Sequence, residues 1–315
     1  MFAYTLRRLA FALVTLWLAS LLVFAALLLI PGNPAQAILG IDATPADLEA
    51  LEARLGLDKP PLERYLSWLG GILRGDLGQS IRYERPIAEL ILARLGITLP
   101  IVATSLLLAT VIAVPMGILA ARKSGSPIDL GVSVASLLGI VLPSFWVGLM
   151  FIYIFIVWLK LPLPTSFPIG GWENPQRALL ALLLPVLTVA LASASFLVRL
   201  VRGSVLEVLS QDFIRTARAK GLGERVVLYK HALRNAALPV VTVLGLEFAS
   251  LLIATVVVET VFGIPGLGSL SLTAISARDY PLVQGVVLVI AAFIVLMNLF
   301  VDLLYGLLDP RVSYA

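Results

Sequence analysis

The chain has 315 residues, 60% of them hydrophobic and 13% charged, with a mean hydropathy of +1.01. Soluble domains are nearer half apolar and a quarter charged, so composition points to a polytopic membrane protein. There is no cysteine and one histidine, His231, which excludes disulfides, thiolate metal sites and cysteine nucleophiles and leaves a histidine-based metal centre without ligands. The net charge of +4 is spread over several loops, as a topology signal is, and does not indicate nucleic acid.

Arg7-Arg8 precede an apolar run from Leu9 to Ile30. At about 22 residues it exceeds the ~7–15 of a signal-peptide core, and as a helix it reaches about 33 Å, enough to cross a bilayer. Residues 1–32 are therefore expected to form an uncleaved first span. Residues 33–96 have ordinary soluble character, with nine acidic and seven basic residues. Helical patterns occur around Pro45–Leu55 and Pro61–Leu73, and Thr44-Pro45-Ala46-Asp47 reads as an N-cap, a first-turn proline and an acidic first turn. Leu66, Trp68, Leu69, Ile72 and Leu73 are expected to supply the apolar contacts of a small helical external segment, either a docking surface or a cap on the membrane core.

Five more apolar runs follow: Ile97 to Ala121, Leu130 to Trp158, Ala178 to Val198, Leu238 to Phe262 and Leu282 to Leu308. Residues 97–308 are expected to form a core of five spans, with 309–315 as a tail. Pro115, Gly117, Gly139, Pro143 and Pro185 lie inside these runs and mark kinks whose freed carbonyls need partners from neighbouring helices or water. Basic residues set the orientation. Arg7-Arg8, Arg122-Lys123 and eight of the chain's 23 Lys and Arg, from Arg199 to Arg234, fall on one side. The positive-inside rule makes that side cytoplasmic, with both termini on it and residues 33–96 outside.

The segment 199–238 between the fourth and fifth spans carries more order than orientation requires. Asp212 is placed to cap a short helix from Phe213 to Lys220, with Gly221 in the left-handed position that ends it. A second helix is expected from Glu224 to about Asn235. Thr216, Ala217 and Ala219 are small enough for the first helix to seat closely in another protein's groove, flanked by Arg215, Arg218 and Lys220.

Two carboxylates stand inside the fifth span. A charge in hydrocarbon costs at least about 2.5–3.5 kcal/mol, which makes Glu247 and Glu259 candidates for a translocation path. Twelve residues apart, they fall on one helix face to within about a third of a turn. The structural alternatives are that Glu247 pairs with a neighbouring helix or stays neutral, and that Glu259 caps the Gly263–Gly268 turn. Asn298 and Asp302 share a face and are read as packing residues.

The run Arg215-Thr216-Ala217-Arg218-Ala219-Lys220-Gly221 resembles the EAA loop of permease subunits in bacterial ABC importers. Asp212 to Asn235 as a whole is similar to the dipeptide/oligopeptide/nickel permease family. So are Leu29-Ile30-Pro31-Gly32-Asn33-Pro34, Gly75-Asp76-Leu77-Gly78-Gln79-Ser80, Glu259 to Gly268, Ala277-Arg278-Asp279-Tyr280-Pro281 and Leu308-Asp309-Pro310-Arg311. Two departures from the general EAA pattern stand out. Arg215 occupies the place of the pattern's Glu, and fourteen residues separate Gly221 from Ala236-Ala237-Leu238-Pro239, so a carboxylate contact with the partner does not carry over.

The resemblance implies an all-α, six-span type I ABC importer permease in the bacterial inner membrane, importing di- or oligopeptides. Nickel complexes, glutathione and oligosaccharides are the alternative cargoes. Its implied partners are a second homologous permease chain, two cytoplasmic ATP-binding subunits and an external substrate-binding protein. ATP and Mg would be bound by those subunits, and this chain has no GxxxxGK phosphate loop of its own. Coupling to the ATPase is implied for Asp212, Arg215, Thr216, Ala217, Ala219, Gly221 and Leu222. Docking of the external partner is implied around Gly263, Pro265, Gly266, Arg278 and Asp279. An autonomous secondary transporter is the rival class, and no inverted repeat is evident in its favour.

Overall fold

The computed structural model describes residues 2–29, 35–36 and 44–308. The close of the first span at residues 30–34 and the tail at 309–315 lie outside the described residues. Among the described residues there is no β-strand, only an isolated bridge between Gln79 and Pro86. The helices are α1 (Phe2–Leu28), α2 (Pro45–Leu55), α3 (Pro61–Leu73), α4 (Ile87–Arg122), α5 (Pro127–Val141) and α6 (Ser144–Trp158, π-helical over Ile152–Trp158). They continue with α7 (Pro175–Leu209), α8 (Asp212–Ala219), α9 (Glu224–Val261), α10 (Leu267–Ser276) and α11 (Tyr280–Leu308). Five helices are long and apolar enough to cross a membrane, and the bent pair α5–α6 makes a sixth crossing if it is one span.

The expected spans differ from these helices in four places, the first being α4, which starts at Ile87 and not at Ile97. The run Leu130–Trp158 is not one helix, because its halves are bent by 100°. Leu142 takes an extended conformation, ψ 125°; the following Pro143 disfavours helix at Leu142 and removes the N–H that the Gly139 carbonyl would accept from. The fourth span runs on to Leu209, so Arg199 and Arg202 are helical. The fifth begins at Glu224 and is continuous to Val261 through a π-helical stretch at Val227–Ala232. The expected separate helix ending near Asn235 is its first third. Pro100, Pro115, Pro185 and Pro239 all lie within continuous helices.

The chain divides into two compact units. In the one holding Thr98–Ile264 and the chain from Met297, α7 is the centre, with α5, α6 and α9 packed on it. Of its most apolar 18 residues 67% are buried, against 22% for α9. Small residues allow this, since helices in a membrane associate through close packing rather than water exclusion. Gly139 on α5 lies so near Ser195 on α7 that a Cβ there would collide with the serine side chain.

The other unit holds Phe2–Ile97 and Pro265–Leu296. Here α3 docks on α1 through Tyr65, whose ring meets Phe24 edge-on at 5.4 Å and whose hydroxyl shares a 2.9 Å hydrogen bond with Ser20. Trp68 joins the cluster, but Leu66 and Leu73, expected as contacts, are exposed. Tyr65 takes their place because it lies on the face of α3 that meets α1. The Thr44 hydroxyl accepts from the Asp47 N–H and caps α2, with Pro45 beginning the helix.

Candidate functional site

The turn joining the two longest helices of the first unit is a hairpin with a short helix across it. The α8 backbone is held at its C-terminus by Gly221, φ +77°. The Gly221 N–H donates to Arg218 O (2.9 Å) and the Leu222 N–H to Ala217 O (3.3 Å), the paired bonds of a Schellman turn. Asp212 is not the cap expected of it. It is the first helical residue after Gln211, and its carboxylate pairs with Arg215 at 3.2 Å in the open. An acidic residue in a first helical turn favours the helix dipole.

The helix α8 has two faces. Ile214 and Ala217 are buried in an apolar cluster with Val201, Val205 and Val208 of α7 and Val227, Leu228 and Ala232 of α9. Ala217 was expected on the partner-facing surface; the helical repeat instead places it three residues from Ile214, on the inner stripe. Phe213, Arg215, Thr216, Ala219 and Leu222 are exposed. Phe213 was not singled out from sequence, although a large apolar residue inside a basic segment is the signal that could have found it. Arg218 spans from α8 to Glu224 at the start of α9 (2.8 Å). An exposed pair of this kind contributes little energy but fixes geometry.

A second feature lies deeper in the same unit. Glu247 is the central residue of Leu233–Val261 and borders a cavity of about 190 Å³ between α6, α7 and α9. Glu259 does not share that wall. It is fully buried and accepts a 2.6 Å hydrogen bond from the Thr98 hydroxyl, so the expected carboxylate pair along one path is not formed. The twelve-residue spacing allowed a common face, but Glu259 is buried against Thr98 of α4 and is not among the residues lining the cavity.

A half-buried ion pair joins α5 and α7. Arg202 on α7 donates from Nε and Nη2 to the two carboxylate oxygens of Asp129 on α5 (2.6 and 2.8 Å), and the Gly125 N–H adds a third bond (3.0 Å). By position in the chain Arg202 is one of the topology charges; an acidic residue in the first turn of an apolar run is the signal for its partner. The fork geometry is specific to arginine and carboxylate. Arg202→Leu is expected to lower the thermal unfolding midpoint more than Arg202→Leu combined with Asp129→Asn. The single change strands a buried carboxylate. Melting curves of the purified chain in detergent check this, and equal losses would reduce the pair to a surface contact.

The segment after Pro265 is organised by Asp279. Its carboxylate accepts from the Ser80 hydroxyl (2.5 Å), the Arg82 N–H (3.1 Å) and the Leu282 N–H (3.2 Å). Asp279 is 1% exposed and Gly266 is also buried, so neither is available to a docking partner as expected. Pro265 gives its carbonyl to Arg94 (2.9 Å). Arg278 (φ +53°) and Gly263 (φ +59°) are the exposed members of the set. Among the described residues no group of three His, Asp or Glu is placed to hold a metal ion.

A family model described as the inner membrane component of binding-protein-dependent transport systems matches residues 113–314, and one for the N-terminal part of such membrane components matches residues 1–102. The chain belongs to this family. It is an all-helical inner-membrane permease of the type I importer fold. The permease is 40% identical over 321 residues to the oligopeptide transport system permease protein AppB of Bacillus subtilis (strain 168), covering 100% of both chains. It is 39% identical over 337 residues to the dipeptide transport system permease protein DppB of Escherichia coli (strain K12), covering 100% of this chain and 99% of that one. A crystal structure of an amino acid ABC transporter with histidines aligns with a TM-score of 0.49 at 21% identity, covering 71% of this permease and 94% of that chain.

Proposed function

We propose that this permease forms half of the pathway of an ATP-driven importer of di- or oligopeptides, with α8 as the seat of an ATPase subunit. The second half is a homologous permease chain. Two cytoplasmic ATP-binding subunits hold ATP and Mg, and an external binding protein delivers the peptide. Full-length similarity to permeases named for oligopeptides and dipeptides supports the substrate class.

The observation that carries the coupling role is the two-faced helix α8. Ile214 and Ala217 lock it to both α7 and α9, while Phe213, Thr216, Ala219 and Leu222 are presented outward. A force applied to the outer face passes to two long helices at once, as rigid-body rocking requires. Arg215 is exposed beside that seat, while Asp212 and Gly221 stand at its two ends. Both termini are placed in the cytoplasm, residues 33–96 outside, and the external partner near Arg278.

The test is Thr216→Trp. The side chain is exposed, so the permease is expected to insert and melt normally while copurification of the ATP-binding subunits and ATP-dependent uptake fall by about tenfold or more, the effect of a misfit at the centre of a binding surface. Uptake at the unmodified level would remove this face from the mechanism.

A further inference from the structure

We propose that the cavity between α6, α7 and α9 is a binding site for a primary ammonium group, held by the Glu247 carboxylate and the Ser193 hydroxyl. The inference rests on the permease reading above and names the group of the transported molecule that the pathway recognises.

Four observations converge on it. The cavity holds about 190 Å³, room for about six waters at ~30 Å³ each; it takes one end of a molecule and not a whole oligopeptide. Among its lining residues Glu247 is the one charged side chain, and no Lys or Arg shares the wall. Ser193 is 1% exposed, lines the cavity, and its Oγ makes no hydrogen bond of normal geometry. Buried hydroxyls are nearly always paired, so an orphan bordering a cavity marks a place where a ligand completes the set. Finally, the break between α5 and α6 opens at this cavity through Ile140 and Ser144, and irregular backbone at membrane depth is tolerated where it lines a cavity.

The chemistry of the wall selects the ligand. A carboxylate accepts only, and serine hydroxyls at 144, 193 and 250 can accept as well. An ammonium group brings three donors and no acceptor, together with the opposite charge. An anion would meet the Glu247 charge with no compensating cation. An acylated amine keeps one N–H and no charge, and so loses most of the match.

The experiment measures the reactivity of Glu247 in the assembled wild-type transporter in lipid nanodiscs. Dicyclohexylcarbodiimide converts an accessible carboxyl within the membrane to an N-acylurea, which peptide mass spectrometry locates. The probes are dialanine, dialanine amide, N-acetyl-dialanine and sodium chloride. Dialanine and its amide are expected to protect Glu247, whereas N-acetyl-dialanine and sodium are not. Ser193→Ala, which keeps the reactive carboxyl, is expected to weaken protection by about tenfold, the usual consequence of losing a hydrogen bond to a charged group. Equal protection by dialanine and its N-acetyl form, protection by sodium alone, or none by any probe would overturn the proposal. Proteoliposome uptake separates this from the reading it rests on. If dialanine is imported but leaves Glu247 reactivity unchanged, the ammonium site falls and the peptide permease stands. If no peptide is imported while the amines still protect Glu247, the substrate reading falls and the site stands.

Discussion

Gly221→Val is expected to lower ATP-driven uptake by the assembled transporter about 5- to 30-fold while the chain still reaches the membrane in normal amounts. Gly221 ends α8 at φ +77°, and an L-residue there costs roughly 1–2 kcal/mol, with a β-branched side chain at the upper end. A penalty of that size reduces the correctly turned population by a factor of about 5–30. No atom lies within 4 Å of where a Cβ would stand, so the effect is conformational and not a collision. Gly221→Asn separates the two, because asparagine tolerates the left-handed region. Uptake, membrane abundance and ATPase copurification of both variants check the prediction. If the valine variant transports as well as the asparagine one, the turn is no part of coupling.

Gly139→Leu is expected to destabilise the helical core by about 1–3 kcal/mol, the range for overpacking a tight interface. A Cβ at this position would overlap the Ser195 side chain, with the Leu191 carbonyl oxygen next at 3.7 Å. The serine hydroxyl can turn to another rotamer, but the Ser195 Cβ, 2.9 Å away, is fixed to the backbone, so α5 and α7 must separate. Ser195→Gly should recover part of the loss, and the size of that recovery measures the direct contact. Thermal unfolding of the two single variants and the double variant in detergent checks it. Strict additivity would show that the helices accommodate the leucine elsewhere.

Much of the molecule was legible from residue order. The apolar runs located every long helix, because a helix that must cross a hydrocarbon layer has to announce its length in apolar residues. Thr44-Pro45 marked a helix start and Gly221 a helix end, because caps and left-handed turns depend on neighbouring residues alone. Helix ends outside the apolar layer were less legible. The helices α7 and α9 run eleven and fourteen residues past the charged boundaries read from sequence, since polar residues continue a helix as readily as they leave it. Pro143 broke its helix while Pro115 and Pro185 did not, and all three read alike in the sequence.

The candidate positions divide in the same way. Local chemistry singled out Gly221, the short helix before it and the mid-span carboxylate Glu247 as candidates. Which side each residue faces was decided elsewhere. Ala217 turns inward because α7 and α9 converge beneath α8, and Asp279 is consumed by Ser80 and two backbone N–H groups. Glu259 is closed off by Thr98, 161 residues away in the chain. The sequence by itself determined a six-run helical membrane protein with a capped helix in its most basic turn, because bilayer thickness and turn stereochemistry act over a few residues. Only the tertiary structure decided that Asp129 is clamped by Arg202, that Ser193 lines the cavity without a hydrogen bond of normal geometry, and that Glu247 and not Glu259 borders it. Those outcomes depend on which helices meet, and partners separated by scores of residues leave no periodic trace in the chain.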